Sequence, residues 1–508
     1  MRASILCLML FVAGADLAAA EETPVAAVDD WNRTLRDIDA LFAKFAADTH
    51  APGLVYGVVR DGKLAHVHAI GVQDLKSKVP VTDETVFRIA SMTKSFTALA
   101  VLKLRDEGRL DLDAPVDSIV PEFKAVRVEG DSGSAVRLRH LLTHTAGFVT
   151  DDPWGDRQLD MSERAFSDHL RAGIPLARRP GEAFDYSNTG YAILGRAISN
   201  VSGRRYQDYI TELLLRPLGM TSTVWEIGAV PDSKRAIGYS WVDDHFEEQP
   251  SLSDGAYGAM GGLSTSATDY ARYVAWLLSA WDTRHASFSG SIAAASVREA
   301  GQGAVLSRVG QRENGPDGKP CPVAWLYGAG FYVVTDCELG TMLRHPGGLP
   351  GYGSQVLLLP QAGVGIFAFA NLTYSHLWEP VLDAAVRLKR AGLLKDSAAK
   401  PASALLQAAD TALKIYRAGD VAAASDALAV NTLLDVSAER RNAELLRLRT
   451  LVGDCASIAP TEVLNALGGR FAMTCDRGTV AVTLLLAPAT PAKIQFLEYV
   501  TSDTPAAR

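Results

Sequence analysis

Basic runs are missing from this chain. No cluster of Lys or Arg makes a patch that would hold a phosphate backbone, and the formal charge is only −8 over 508 residues. A nucleic-acid partner is therefore not expected. Cysteine is scarce as well, five in all. None of the five is accompanied by histidine at the spacing of a zinc site, so no metal is expected, and no cofactor. Beyond the N-terminus no apolar run is long enough to cross a bilayer, which takes about 20 residues. What remains is a chain with 48% hydrophobic residues. That is ordinary for a globular protein but too long for one typical core, and two or three domains are expected.

Residues 1–20 read as an export signal. Arg2 supplies one positive charge, Ile5 to Gly14 is almost wholly apolar, and Ala18-Ala19-Ala20 offers small residues for cleavage before Glu21. The competing reading is an uncleaved membrane anchor. Cleavage predicts a periplasmic or secreted protein without a membrane span. Cys7 would leave with the signal, and the other four fall into two close pairs. In an oxidising compartment Cys321–Cys337 and Cys455–Cys475 are the economical pairings, against the alternative of four buried thiols.

Apolar residues at Ile38, Leu41, Phe42 and Phe45 give residues 31–49 a helical period. Two strand-like runs follow at 53–59 and 64–70, joined by the hairpin signal Asp61-Gly62. A helix is expected from about Ser91 to Glu107, a helix-rich middle section over about 110–250, and another helix at 267–278. Strands are expected at 328–334, 355–359 and 364–370, then a helix at 379–388. Strands at both ends with helices between them predict an α/β (α+β) domain over 30–395. Its sheet would be flanked by helices and carry an inserted helical lobe. The small, polar stretch from Asp396 to Ala404 reads as a linker. Residues 404–508, with helices to Leu451 and strands at 479–486 and 493–500, read as a small α+β accessory domain serving as a lid, binding or assembly module.

The chemistry concentrates at Ser91-Met92-Thr93-Lys94. A spacing of three puts Ser91 and Lys94 on one helical face. A serine hydroxyl needs a base to become a nucleophile, and a lysine can serve only if its pKa falls. At a helix start, the Ser91 N–H can form half of an oxyanion hole. On its own the Ser-x-x-Lys spacing is common by chance, and Ser91 reads simply as a helix N-cap. Two further groups bear on that choice. Tyr186-Ser187-Asn188 lies in a Gly-containing stretch before an apolar helix, and Arg344-His345-Pro346-Gly347-Gly348 leads into a strand. Taken singly, Tyr186 and Asn188 could be a packed ring and a turn residue, and His345 a cap on a strand edge.

In this order and at these separations the motifs resemble the serine β-lactamase and penicillin-binding-protein superfamily, in its class C-like branch of esterases and D-amino-acid-specific peptidases. His140-Leu141-Leu142-Thr143-His144-Thr145-Ala146-Gly147, Gly261-Gly262-Leu263-Ser264-Thr265 and Pro350-Gly351-Tyr352 agree with it, and the likeness runs over about residues 35–392. The resemblance implies a β-lactamase-like fold and a Ser91 nucleophile with Lys94 as base or proton relay. It implies that Tyr186 passes protons to the leaving group, with a pKa lowered by the neighbouring ammonium so that the two titrate as a pair. Asn188 would hold Lys94 and offer its amide to substrate. Gly348 would supply the second oxyanion donor.

The third motif departs from the family pattern. His345-Pro346-Gly347 stands where Lys-Thr-Gly is usual, and a mostly neutral His in place of a permanent cation weakens the case for efficient antibiotic hydrolysis. His345 would instead position the leaving group. The expected substrate is a carboxylic ester or a D-amino-acid-containing peptide. A β-lactam comes second, and a penicillin-binding sensor that acylates without turnover is the rival. Association with the cell wall is left open. His140 and His144 sit at a metal-like spacing but lack a third ligand, Tyr327, Phe331 and Tyr332 read as core or cleft wall, and Asp151-Asp152 reads as a solvated loop where a substrate-side loop could fall.

Overall fold

The computed structural model of the protein describes residues 25–126, 133, 135–282, 288–394 and 400–501. The signal reading for 1–20 lies outside the described residues, as does most of the expected linker. The chain divides into two compact units, one ending at Asp396 and one beginning at Ser397.

The first unit is organised by strands whose two faces are both apolar. Strand β1 (Gly53–Arg60) turns through Asp61 and Gly62, both at positive φ, into β2 (Lys63–Gly71). Positive φ at both central residues matches the right-handed twist of a tight hairpin, which is why Asp-Gly marks the turn. Far along the chain six more strands follow as successive hairpins: β3 (Val305–Arg312), β4 (Cys321–Tyr327), β5 (Tyr332–Asp336), β6 (Gly340–Leu349), β7 (Tyr352–Leu359) and β8 (Val364–Ala370). They form one antiparallel sheet in the order β2-β1-β8-β7-β6-β5-β4-β3, closed in sequence terms by β1 pairing with β8. The β-lactamase-like fold is thus an eight-stranded antiparallel sheet flanked by helices.

Side-chain alternation divides the core. From β1, Val55 and Val59 enter one apolar cluster, packed with α2 (Lys94–Asp106), α3 (Asn188–Ser202) and α4 (Ala267–Ser279). Leu54, Tyr56 and Val58 enter the other, packed with α1 (Val25–Asp48) and α5 (Trp378–Arg390). Phe367 and Phe369 of β8 face the first cluster, Ile366 and Ala368 the second. Burial on both faces is why these strands are continuous apolar runs rather than alternating ones. Truncating one such ring to Ala costs about 3–5 kcal/mol.

Several expected boundaries shift. The stretch expected as one strand over 328–334 turns at Gly330, whose φ is 79°, and only Tyr332–Asp336 is strand. Tyr327 and Tyr332 therefore lie on different strands, with Phe331 in the turn. The edge strand β3 and its neighbour β4 were not expected from the sequence. β3 is largely exposed and carries Ser307, Arg308, Gly310, Gln311 and Arg312, so it lacks an apolar period. The Arg344 to Gly348 motif lies within β6 instead of leading into a strand. A disulfide joins Cys321 to Cys337 across the β4–β5 hairpin.

The second unit is an α+β module with its own core. Helices α6 (Ser403–Ala418) and α7 (Ala438–Val452) precede an antiparallel sheet of β9 (Cys455–Asn465), β10 (Gly468–Cys475), β11 (Gly478–Leu486) and β12 (Ile494–Thr501), in that order. Cys455 pairs with Cys475 between β9 and β10, strands that the sequence pattern does not reveal. Alternate residues of β11 (Val480, Val482, Leu484, Leu486) join Leu405, Ala409 and Tyr416 of α6 in one apolar cluster. No described helix is long and apolar enough to cross a membrane.

Candidate active site

Ser91 sits on a sharp turn rather than on the α-helix itself. Ala90–Thr93 is a single 3-10 turn, and α2 begins only at Lys94. Ala90 precedes the serine at φ 47°, a left-handed conformation unfavourable for a residue with a Cβ. The surroundings fix it: the Ile89 N–H donates to Leu263 O at 3.0 Å and Ser354 Oγ donates to Ile89 O at 2.8 Å. Strain held in place by packing in this way is typical of functional sites. Ile89 occupies the cap position of the turn and no side chain caps it, so the N-cap reading of Ser91 does not hold.

Lys94 is wholly buried. Its Nζ donates to Ser91 Oγ at 3.0 Å, to Asn188 Oδ1 at 2.6 Å and to Met260 O at 3.0 Å. An ammonium has three hydrogens and finds three acceptors here. Once neutral, the amine can keep its two carbonyl partners and turn its lone pair to the Ser91 hydroxyl. Burial pushes the ammonium down to about 8, against the pull of Asp152, Asp156 and Asp151. Met260, in the short helix Gly258–Gly261, contributes only its backbone. A backbone carbonyl leaves no mark in a sequence.

Tyr186 completes the triangle. Ser91 lies near enough to act on its hydroxyl, and the Lys94 Nζ lies 4.8 Å from the centre of its ring. The expected lowering of its pKa does not occur. Burial of the phenol, reinforced by the Asp152 carboxylate and the Tyr332 phenol, raises it well above its ordinary value, and the nearby Ser91 hydroxyl opposes this only in part. Beneath the ring lies buried His144, with ring centres 4.3 Å apart. The Ser187 N–H donates to its Nδ1 at 3.0 Å. His140 Nδ1 instead accepts from the Arg137 N–H at 3.1 Å, so the two histidines hold separate backbone segments.

Asn188 begins α3, capped by Ser187, whose Oγ accepts from the Gly190 N–H at 3.2 Å. Its Oδ1 faces Lys94. Its Nδ2 donates to Asp152 Oδ1 at 2.9 Å and Asp156 Oδ1 at 3.3 Å, so the amide is engaged by carboxylates rather than free for substrate. Of the Asp151-Asp152 pair, Asp152 is exposed, as a solvated loop requires, while Asp151 is half-buried and bonded to the backbone. Asp151 accepts from the N–H groups of Asn188 and Thr189 at 2.6 and 2.7 Å, serving the positive end of α3. Sequence reading missed Asp156. It is buried and its Oδ2 accepts from the Tyr374 hydroxyl at 3.0 Å. Burial and Asp152 push its carboxyl up to about 7, with Lys94 opposing.

On the opposite wall, β6 pairs with β5 only as far as Arg344 with Tyr332. Residues 345–349 continue beyond that partner, paired with β7 alone. His345 is wholly buried with both ring nitrogens on protein: Nε2 lies 3.1 Å from the Tyr327 hydroxyl and Nδ1 2.6 Å from Pro346 O. Since a carbonyl only accepts, Nδ1 carries the hydrogen and Nε2 accepts from Tyr327. Burial, with Lys94 nearby, lowers its pKa to about 3, so the ring is neutral. That geometry does not fit positioning of a leaving group. Gly348 does line the cavity. A Cβ there would lie 2.6 Å from Cδ1 of Tyr374, a residue itself held at φ 48°.

These groups enclose a cavity of about 450 Å³ that Ser91, Tyr186, Gly348, Asp152, Asp156 and Tyr374 all line. Tyr332 is part of its wall. Five of the six expected site residues, Ser91, Lys94, Tyr186, Asn188 and Gly348, thus converge on one place, and His345 supports it from behind.

A serine, a buried amine and a phenol in mutual contact on this sheet are the features of a serine hydrolase fold. The chain matches the sequence profile of the β-lactamase family over residues 38–390, and it belongs to that family. It is 30% identical over 357 residues to Protein flp of Staphylococcus aureus (strain MRSA252), covering 68% of this chain and 64% of that protein. The chain thus spans slightly less than two thirds of that relative. It is 33% identical over 216 residues to Esterase EstB of Burkholderia gladioli, covering 40% of this chain and 55% of the esterase. Among solved structures, the octameric penicillin-binding protein homologue from Pyrococcus abyssi superposes with a TM-score of 0.57 at 21% identity, covering 90% of this chain and 91% of that one. A class C β-lactamase superposes with a TM-score of 0.54 at 21% identity, covering 71% and 96%. The family match and the solved structures agree on the β-lactamase fold.

Proposed function

We propose that the protein hydrolyses a carboxylic ester or a D-amino-acid-containing peptide through an acyl-enzyme on Ser91, outside the cytoplasm. The observation that carries this reading is the 3.0 Å contact between the buried Lys94 amine and Ser91 Oγ. In the first step neutral Lys94 takes the Ser91 proton as Oγ bonds to the substrate carbonyl carbon, and the oxyanion rests on the N–H groups of Ser91 and Gly348. The C–O or C–N bond to the leaving group then breaks, and that group takes a proton relayed from Lys94 through Tyr186. Water cleaves the acyl–Oγ bond by the reverse sequence. A phenol held neutral suits such a relay, because it can accept and donate at one oxygen without building up charge.

The two disulfides support an oxidising compartment. Neutral His345 in place of a cation favours esters and peptides over β-lactams, and the esterase relative points the same way. Intact-mass analysis after exposure to a fluorophosphonate, a panel of esters and D-peptides, and a penicillin tests the proposal. One phosphonate per chain at Ser91 with ester or peptide turnover is expected. A folded protein that never labels at Ser91 overturns it. A lasting penicillin adduct without turnover of any substrate identifies a sensor instead.

A further inference from the structure

The cavity is lined by groups of opposite charge. Asp152, which is exposed, and Asp156 line it, both joined to the Asn188 amide. Arg344, 7% exposed, and Ser375, 8% exposed, line it as well. Arg344 is stacked among aromatic rings, 3.9 Å from the centre of Trp378, 4.9 Å from Trp325 and 5.8 Å from Tyr332. It gives Gln355 Oε1 one hydrogen bond at 3.0 Å. No carboxylate among the described residues pairs with it, and the charged or ionisable neighbours acting on it are the Tyr332 phenol and another cation, Arg308. Its Nε has no hydrogen-bond partner, and neither has the Ser375 hydroxyl.

A guanidinium and a hydroxyl left buried and unsatisfied in one cavity cost free energy unless something else satisfies them. The planar fork of Arg suits a carboxylate. At Asp152, a substrate ammonium would replace the solvent that the exposed carboxylate now meets. Ser91 and Tyr186 also line this cavity.

On the reading of Ser91 as nucleophile, we infer that the enzyme takes small zwitterions, with a free ammonium held by Asp152 and Asp156 and a free carboxylate held by Arg344 and Ser375. The scissile ester or amide lies between the two charges. Hydrolysis consumes one water, breaks the C–O or C–N bond between the charged ends, and releases an amino acid together with a second amino acid or a hydroxy acid.

Alanyl-alanine and its ester analogue alanyl-lactate test this, in D and L series, each free, N-acetylated, C-amidated and doubly blocked. Turnover is measured alongside fluorophosphonate labelling of Ser91. The free zwitterion should exceed each singly blocked form by about tenfold or more in kcat/KM, the size of a lost charge-assisted hydrogen bond. Asp152→Asn should erase the preference for the free amine, and Arg344→Gln the preference for the free carboxylate. Both variants should label with the uncharged phosphonate above about pH 9, where Lys94 is neutral whether or not Asp152 supports its ammonium. Should Arg344→Gln fail to fold, Ser375→Ala reads the same carboxylate preference. Equal turnover of free and doubly blocked compounds overturns the inference, as does no turnover of any by an enzyme that labels. Loss of thermal stability in Arg344→Gln with its carboxylate preference intact makes that residue packing only, which also overturns it. Absence of labelling in folded wild type removes the nucleophile reading itself, and this inference with it.

Discussion

Asp156 and Lys94 meet through a single amide: Asn188 takes the Lys94 Nζ on its Oδ1 at 2.6 Å and gives its Nδ2 to Asp156 Oδ1 at 3.3 Å. A buried acid raised to about 7 and a buried amine lowered to about 8 thus share one side chain between them. Each stabilises the charged form of the other, while burial opposes both. The charge on the base therefore depends on residues that never touch Ser91.

This coupling sets a pH dependence. Acylation needs neutral Lys94, so the labelling rate should climb as pH rises through about 8 and then level off. Removing a nearby carboxylate destabilises the ammonium. In Asp156→Asn the climb should therefore shift to lower pH, measured by stopped-time phosphonate labelling between pH 5 and 10.

The same variant carries a stability prediction. The pKa of Asp156 is raised from 3.8 to about 7 on folding, so its neutral form supports the fold fully below about 4 and that support is lost as pH rises through 7. Asp156→Asn should gain Tm relative to wild type at pH 8 and gain less at pH 5. An equal difference at both pH values would show that the carboxyl does not titrate as described.

Lys94→Ala should lower the acylation rate by about 10²–10⁴, the usual worth of a positioned base, while the protein still unfolds cooperatively. Phosphonate labelling against time and a thermal melt separate loss of chemistry from loss of fold. Undiminished labelling would take Lys94 out of the reaction.

Gly348→Ala places a Cβ against Tyr374. The ring must move, so ester turnover should fall by about 10²–10³ if the substrate carbonyl is pushed off its N–H donors. The double variant Gly348→Ala/Tyr374→Ala should recover part of that loss, because the clash is relieved at its far side.

Replacing Cys321 and Cys337 together by Ser should reduce unfolding free energy by about 3 kcal/mol, as expected for a cross-link closing a loop of 16 residues. Denaturant melts of the oxidised wild type and the variant give the difference.

The chemical core was legible in the sequence because its side chains come from short runs with fixed local geometry. Ser91 and Lys94 are one turn apart, and Tyr186 and Asn188 flank a helix cap. The groups that tune it were not legible. Met260 acts through a carbonyl, His144 through ring packing, and Asp156 through a tertiary contact with Asn188. His345 was expected at the substrate because it replaces a lysine, but both its nitrogens are bound by Tyr327 and Pro346, and only three-dimensional packing reveals that. In the fold, strands buried on both faces announce themselves as apolar runs. The exposed edge strand β3 and strand β9 carry no such period.

The left-handed kink at Ala90 also constrains how this enzyme can change. Its Cβ lies 3.2 Å from where a side chain on Gly347 would begin, and its backbone packs 3.5 Å from the same point on Gly261. The floor under the serine consequently admits no side chain at Gly347, where a Cβ would also lie 2.3 Å from Ile89 O. Diversification of what the protein accepts has to proceed at the rim, through residues such as Asp152, Tyr332 and Tyr374, while the ground beneath the hydroxyl stays as it is.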